Sequence, residues 1–233
     1  MSTDIRRVME AEAESNLARI RQHPFIESAH LGDLTKSQAE RWIKCAGRES
    51  RSFPTILENM IEFTSNATVK RILEENLLDE YGNGNAEQAH FKHYLQLLDH
   101  LGIPRVDFYS YEEGPSIRLA LSMAYNISKA NNPGLALGYM IVNEGMTPIT
   151  YEAARAALVH YYHTLNTTFF DLHIDVDAHH VEELYRAADH MSDSDVLDMK
   201  FGVLAGERGM AVLLDEALGL FDFVRDLPRY EAV

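Results

Sequence analysis

The sequence holds one cysteine, one tryptophan, and only 21 lysines and arginines against 36 aspartates and glutamates. A single thiol, Cys45, excludes a disulfide framework and a cysteine-rich metal site within one chain. It leaves two roles for Cys45, a lone nucleophile or a small buried hydrophobe. The formal charge of -15 speaks against nucleic acid and anionic membrane surfaces as partners, since both need patches of Lys and Arg. Long apolar runs are missing too, and "MSTDIRRVMEAEAE" has no apolar core of the signal-peptide kind, so a cytoplasmic protein is expected. With 13 glycines and 7 prolines in 233 residues, nothing reads as a linker or a low-complexity tail. One domain over residues 1–233 is expected, with 46% hydrophobic residues to fill its core.

Alternation with period two is absent, and so are hairpin signals and repeats of 20–50 residues. What is present is helical periodicity. Residues 4–22 read as a surface helix. "LTKSQAERWIKCAGRESRSFPTILENMIEF" is a long amphipathic run interrupted at Pro54, and "ATVKRILEENLLDE" is a helix ended by "YGNGN". "NAEQAHFKHYLQLLDHLG" follows, with Asn85 as N-cap, Gln88 in the capping-box position and Gly102 as terminator. Further helices are expected over 115–130, 134–146, 149–165, 166–191 and 193–221. The expected fold is all-α, a bundle of about seven to eight helices with sites between facing helices.

Three places put ionisable groups in unexpected company. In "FFDLHIDVDAHHVEELY", residues 169–185, about 100° per residue brings His173, Asp177 and His180 onto one stripe, while Asp175 and His179 point away. Such a stripe is either a metal-binding face or a polar face that happens to be rich in histidine. In "NLLDEYGNGNAEQAHFKHY", Glu80 sits in the last turn of one helix, where the dipole disfavours a carboxylate, and His90 opens the next. The glycine break lets both aim at one spot; otherwise Glu80 is a solvated helix end and His90 is exposed. Glu87 and His93 are neighbours of His90 without a distinct signal. In "LALGYMIVNEGMTP", Glu144 follows eleven residues with no other ionised side chain. A carboxylate beside such a face needs a cation or a strong hydrogen-bond partner, or it simply marks the approach to Gly145 and Pro148. Together these places supply three carboxylates and three imidazoles from four helical segments. Mixed shells of that kind suit iron or manganese in bundle cores, and six ligands are more than one zinc would use.

Glu-x9-His in "DEYGNGNAEQAH", a lone Glu in a later helix, and His-x3-Asp-x2-His in "HIDVDAHH" resemble the heme-oxygenase-like diiron oxidases and oxygenases. These are iron-containing redox enzymes related in fold to the coenzyme-PQQ synthesis protein C and to the chlamydial protein associating with death domains. The resemblance spans about residues 35–220. It implies seven or more helices around the site, commonly in a homodimer. It also implies that Glu80, His90, Glu144, His173, Asp177 and His180 are both catalytic residues and iron ligands. One iron would take a carboxylate with His90 and His173, the other Glu80 with Asp177 and His180, while Glu144 would be shared or switch. Some members add a carboxylate from an earlier helix, where Glu49, Glu58 and Glu62 stand. Heme-binding relatives use an N-terminal histidine, but none precedes His23 here. One branch modifies its own lysine, and no Lys lies between Ala130 and Met199.

The implied chemistry is oxygen activation by two Fe(II) ions through a bridged peroxo species, with O2 as co-substrate and an external electron donor where the substrate supplies too few electrons. The implied substrate is a small amino acid or amino-acid-derived molecule of natural-product biosynthesis, desaturated, cleaved or N-oxygenated. Oxidative decarboxylation of a medium-chain fatty acid to a terminal alkene is the alternative. Arg48, Arg51 and Arg208 are the available anchors for a carboxylate, and Asp175, His179 and Tyr139 the available partners behind the ligands. A non-catalytic interaction protein and a metal-free cofactor-synthesis enzyme would share the same helices. The helical stripe gives one early test: His179→Ala leaves the full metal content in place, measured by iron analysis. Loss of iron in that variant would assign the wrong histidine of the pair.

Overall fold

The computed structural model describes residues 4–220, with the side chains of residues 175–178 outside the description. The described residues hold ten α-helices and one 3-10 turn (Ala86–Gln88): α1 (Ile5–Arg21), α2 (Pro24–Leu31), α3 (Lys36–Phe63), α4 (Ala67–Glu80), α5 (His90–Leu101), α6 (Arg105–Tyr109), α7 (Pro115–Ser128), α8 (Pro133–Tyr161), α9 (Thr168–Ala188) and α10 (Val196–Leu218). The all-α expectation holds, but the count of seven to eight helices is corrected to ten. Two short helices, α2 and α6, are too brief to show a clear hydrophobic period, and each depends on a proline at its start.

Two boundaries also move. Pro54 lies inside α3, which runs through it for 28 residues, and Pro148 lies inside α8, which runs for 29. An interior proline costs a hydrogen bond and a steric clash, so the sequence reads as an interruption at both. Around Pro148 the hydroxyls of Thr147 and Thr150 donate to the carbonyls of Asn143 (3.2 Å) and Met146 (3.1 Å). Packing supplies the rest, because most of α8 from Gly134 to Met146 is buried.

Helix ends are set by local chemistry. Thr35 and Gln38 form a reciprocal capping box at the start of α3. The fully buried Glu216 of α10 reaches the start of α7, accepting from the backbone N–H of Gly114 (2.8 Å) and Ile117 (2.8 Å) and from the Tyr111 hydroxyl (2.9 Å). Cys45 lies 3.8 Å from that hydroxyl, and burial pushes its thiol up to about 12. The buried thiol is therefore a packed hydrophobe. No helix among the described residues is long and apolar enough to cross a membrane.

The helices α8 and α10 cross at close range. A Cβ on Gly138 would meet the backbone of Met199, and one on Gly202 the backbone of Leu135 and Tyr139. Backbone cannot step aside as a side-chain tip can, so both positions need glycine. The crossing places the Glu144 stretch of α8 against the rest of the bundle. Gly138→Ala is accordingly expected to lower stability by at least about 2 kcal/mol, read from urea denaturation. Gly209→Ala, where the added methyl meets the flexible end of Met123 at 3.2 Å and Ala120 at an ordinary 4.0 Å, should be neutral or stabilising through helix propensity. Equal losses in the two variants would contradict the close crossing.

Candidate metal centre

Four helices bring the carboxylates and imidazoles together. Glu80 ends α4, His90 begins α5, Glu144 sits at the middle of α8, and His173 and His180 lie seven residues apart on α9. All five are buried, with relative exposures from 3% (His90, Glu144) to 7% (Glu80, His173, His180). The turn between α4 and α5 bends as the glycines suggest, with Gly82, Asn83 and Gly84 all at positive φ. It swings His90 back over Glu80, so neither is a solvated helix end. Asp177, the remaining sequence-derived ligand, lies outside the described side chains.

Glu80, His90 and His173 each offer one donor atom, and those atoms all lie within 4.8 Å of one another. His90 Nδ1 sits 2.9 Å from Glu80 Oε1, yet it is buried without a hydrogen-bond partner. Two buried donor atoms this close, with no well-formed hydrogen bond at Nδ1, are a pair that a cation would satisfy. His173 Nδ1–H donates to the Phe169 carbonyl at 2.7 Å, which leaves Nε2 with the free lone pair, the arrangement usual for a metal-binding imidazole. Burial, then the neighbouring His90, pushes His173 down to about 3. At neutral pH the ring is uncharged, as a metal-binding imidazole must be. The donor set therefore fits a transition metal of the iron type.

On the other side of the centre, Glu144 faces His180 at 3.7 Å, and Asn76 of α4 stands between them. Asn76 Nδ2 donates to Glu144 Oε1 at 2.6 Å and lies 3.3 Å from His180 Nδ1. His180 Nε2 donates to Asp79 at 2.8 Å. Burial opposes charge on His180, but Glu144 and Asp79 outweigh it and raise its pKa to about 9. The structure thus groups Glu80 with His90 and His173, and Glu144 with His180. The resemblance had instead put Glu80 on the side of His180.

A cavity of about 30 Å³ adjoins this cluster, lined by Glu49, Ser50, Phe53, Glu80, Asn143, Glu144, Thr147, Tyr151 and His173. That is room for about two water-sized spheres. Of the early-helix carboxylates, Glu49 lines the cavity and accepts from Asn143 Nδ2 at 3.3 Å; burial raises its pKa. Glu58 and Glu62 are exposed, and Glu58 accepts from Tyr81. Rings close the His173 side, with Phe169 at 4.7 Å and Tyr151 at 5.0 Å between centroids.

The arginines proposed as anchors are placed elsewhere. Arg48 donates to the carbonyls of Tyr109 and Tyr111 and pairs with Glu113; Arg51 lies over the Tyr109 ring; Arg208 is exposed beside Glu207. Arg51 and Arg208 are exposed, whereas Arg48 is largely buried but committed to these partners, which spacing alone does not reveal. His179 is exposed, Tyr139 lines a neighbouring apolar cavity, and Asp175 lies outside the described side chains. His93 is buried with an unpartnered Nδ1. Asn76 and Asp79 were missed by sequence reading, although Asn76, Asp79 and Glu80 share the spacing i, i+3, i+4 of one helix face.

Two opposite pH dependences follow for the metal-free protein. His180, held above its ordinary 6.5, contributes stability that is complete below pH 6.5 and is lost as pH rises through about 9. His173, held below 6.5, contributes stability that is complete above pH 6.5 and is lost as pH falls towards about 3. Urea denaturation of the metal-free protein between pH 6.5 and 9 should show a decline that His180→Gln removes. An unchanged decline in that variant would dissociate His180 from the acidic pair.

Comparison with known proteins gives concordant results. A chlamydial 4-aminobenzoate synthase, from Chlamydia muridarum, is 23% identical over 167 residues, covering 70% of this chain and 69% of the relative. Among solved structures, a domain with a heme oxygenase-like fold from Shewanella denitrificans superimposes with a TM-score of 0.76 at 17% identity, over 99% of both chains. A CADD-like protein of unknown function from Nostoc punctiforme gives 0.78 at 14% identity, over 93% of this chain and 98% of that one. A TenA homologue from Pseudomonas syringae gives 0.75 at 13% identity, over 94% of each. The fold is therefore heme oxygenase-like. The sequence model of the iron-containing redox enzymes matches residues 49–203, a span that holds Glu80, His90, Glu144, His173 and His180, and the chain belongs to that family.

Proposed function

We propose that the protein is an O2-dependent non-heme diiron oxidoreductase acting on a small amino acid or amino-acid-derived substrate, with Glu80, His90, Glu144, His173, Asp177 and His180 holding two irons. The convergence of buried donors from Glu80, His90 and His173 within 4.8 Å carries this reading. Iron bound by such a set supplies reductive activation of O2, with electrons from the substrate or from an external donor.

The chain's own residues do the rest. The Phe169 carbonyl holds the Nδ1 proton of His173, so its Nε2 stays a lone-pair donor. Asn76 orients Glu144 through a short hydrogen bond. Phe53, Tyr151 and Phe169 exclude bulk water from the His173 side. Glu49, raised by burial, is the carboxyl placed to hold a proton at the cavity wall. Three carboxylates and no lysine or arginine line that cavity among the described residues.

A second reading, oxidative decarboxylation of a medium-chain fatty acid, draws support from the adjoining cavity. It shares Glu49, Phe53 and Asn143 with the first, and Ile56, Ile117, Leu121 and Leu213 are among its apolar walls. The two readings separate in one experiment. Apo-protein is loaded anaerobically with ferrous iron, and O2 uptake is followed with amino acids and fatty acids in turn. Two irons per chain and uptake stimulated by an amino acid are expected. Stimulation by fatty acids alone would replace the substrate class, and failure to bind iron would remove the proposal. His173→Ala and Asp177→Ala should each lose iron and all turnover, whereas wild-type activity in either would eliminate the assigned site.

A further inference from the structure

The turn that joins α4 to α5 does more than redirect the chain. Asn83 has φ 53°, between Gly82 at 77° and Gly84 at 86°. Asparagine tolerates this left-handed region better than most residues. Held there, its Nδ2 donates to Asp79 Oδ1 at 2.6 Å. The other Asp79 oxygen, Oδ2, accepts from His180 Nε2 at 2.8 Å. On the far side of the imidazole, Nδ1 faces Asn76 Nδ2 at 3.3 Å and Glu144 Oε2 at 3.7 Å. In the metal-free protein the Nδ1 proton faces Glu144; a cation taking its place there would find the ring's other proton kept on Nε2 by Asp79.

We propose that Asp79 is a positioning residue that fixes the ring rotation and proton placement of His180, presenting Nδ1 to the metal position it shares with Glu144, and that Asn83 holds Asp79 for that task. The role rests on the metal-site reading above. A carboxylate on the far nitrogen of a metal-binding histidine orients the ring and raises its basicity. Asp79 does not act as a ligand itself, because Oδ1 is engaged by Asn83 and Oδ2 by the ring nitrogen that faces away from Glu144. Its side chain is 30% exposed against 9% for His180, so it stands on the solvent side of the ring. A cavity of about 220 Å³, lined in part by Asp79, Asn83, His179 and His180, opens there.

Two readouts test this in Asp79→Ala and Asp79→Asn. In the metal-free protein, proton NMR should show a downfield, exchange-protected imidazole N–H resonance that disappears in His180→Gln. It should vanish in Asp79→Ala and persist in Asp79→Asn, whose side-chain oxygen still accepts. Anaerobic titration with ferrous iron should show one of two sites weakened by about 10–100-fold in Asp79→Ala, largely restored in Asp79→Asn, and weakened less in Asn83→Ala. Retention of both the resonance and the affinity in Asp79→Ala would make Asp79 an ordinary surface carboxylate. Loss of iron in Asp79→Asn as complete as in Asp79→Ala, with the resonance kept, would make it a ligand. A wild-type protein that binds two irons but lacks the resonance would overturn the positioning alone. One that shows the resonance but binds no iron would overturn the metal reading instead.

Discussion

Burying two carboxylates and three imidazoles among apolar helices is the constraint on which the rest of this structure depends. A lone buried charge is costly enough that it neutralises or finds a partner. Here the partners are arranged as two linked halves. On one, Glu80 and His90 close on His173, which is neutral because burial forbids its charge. On the other, Glu144 and Asp79 hold a proton on His180. Asn76 ties the two carboxylate-bearing helices α4 and α8 together across the gap. Without a cation the first half leaves His90 Nδ1 unsatisfied, so the apo fold retains a local deficit that ligation would relieve.

The helices serve this constraint unequally. The glycine-mediated crossing of α8 and α10 fixes where Glu144 stands, and α9 carries both histidines on one buried face. The turn after α4 supplies the sharp reversal that a helix cannot, and glycine at its flanks makes positive φ available. Membership of the iron-containing redox enzymes and the donor geometry therefore rest on independent grounds, one in the sequence of residues 49–203 and the other in the positions of side chains.

Much of this was legible before any coordinates. The 3.6-residue period gave the all-α class, the angular spacing of His173 and His180 put both on one face, and Gly82 and Gly84 marked the bend that brings Glu80 to His90. Other features were not legible. Pro54 and Pro148 read as helix ends because their cost is local, whereas the packing that outweighs it is tertiary. Short helices such as α6 carry too few residues for a period. Asn76 and Asp79 share a helix face with Glu80, but that spacing is a weak signal because amides and carboxylates on a helix face are usually solvated, and only the approach of α9 makes them partners. Arg48 looked like an anchor on chemistry alone, but its guanidinium is committed to the carbonyls of Tyr109 and Tyr111.

The two interior prolines have a consequence for compliance at the centre. Each lacks the N–H that would bond to the carbonyl four residues earlier, and those earlier residues are Ser50 and Glu144. Both line the cavity beside the metal-binding cluster. On two of the helices that line it, then, the backbone lacks one rung of its helical ladder at a residue of the cavity wall. A small change in the pitch of α8 can swing the Glu144 carboxylate without breaking a further bond of that ladder. The long helices that look like rigid struts are each least tied to their own ladder beside the buried cluster that a metal would occupy.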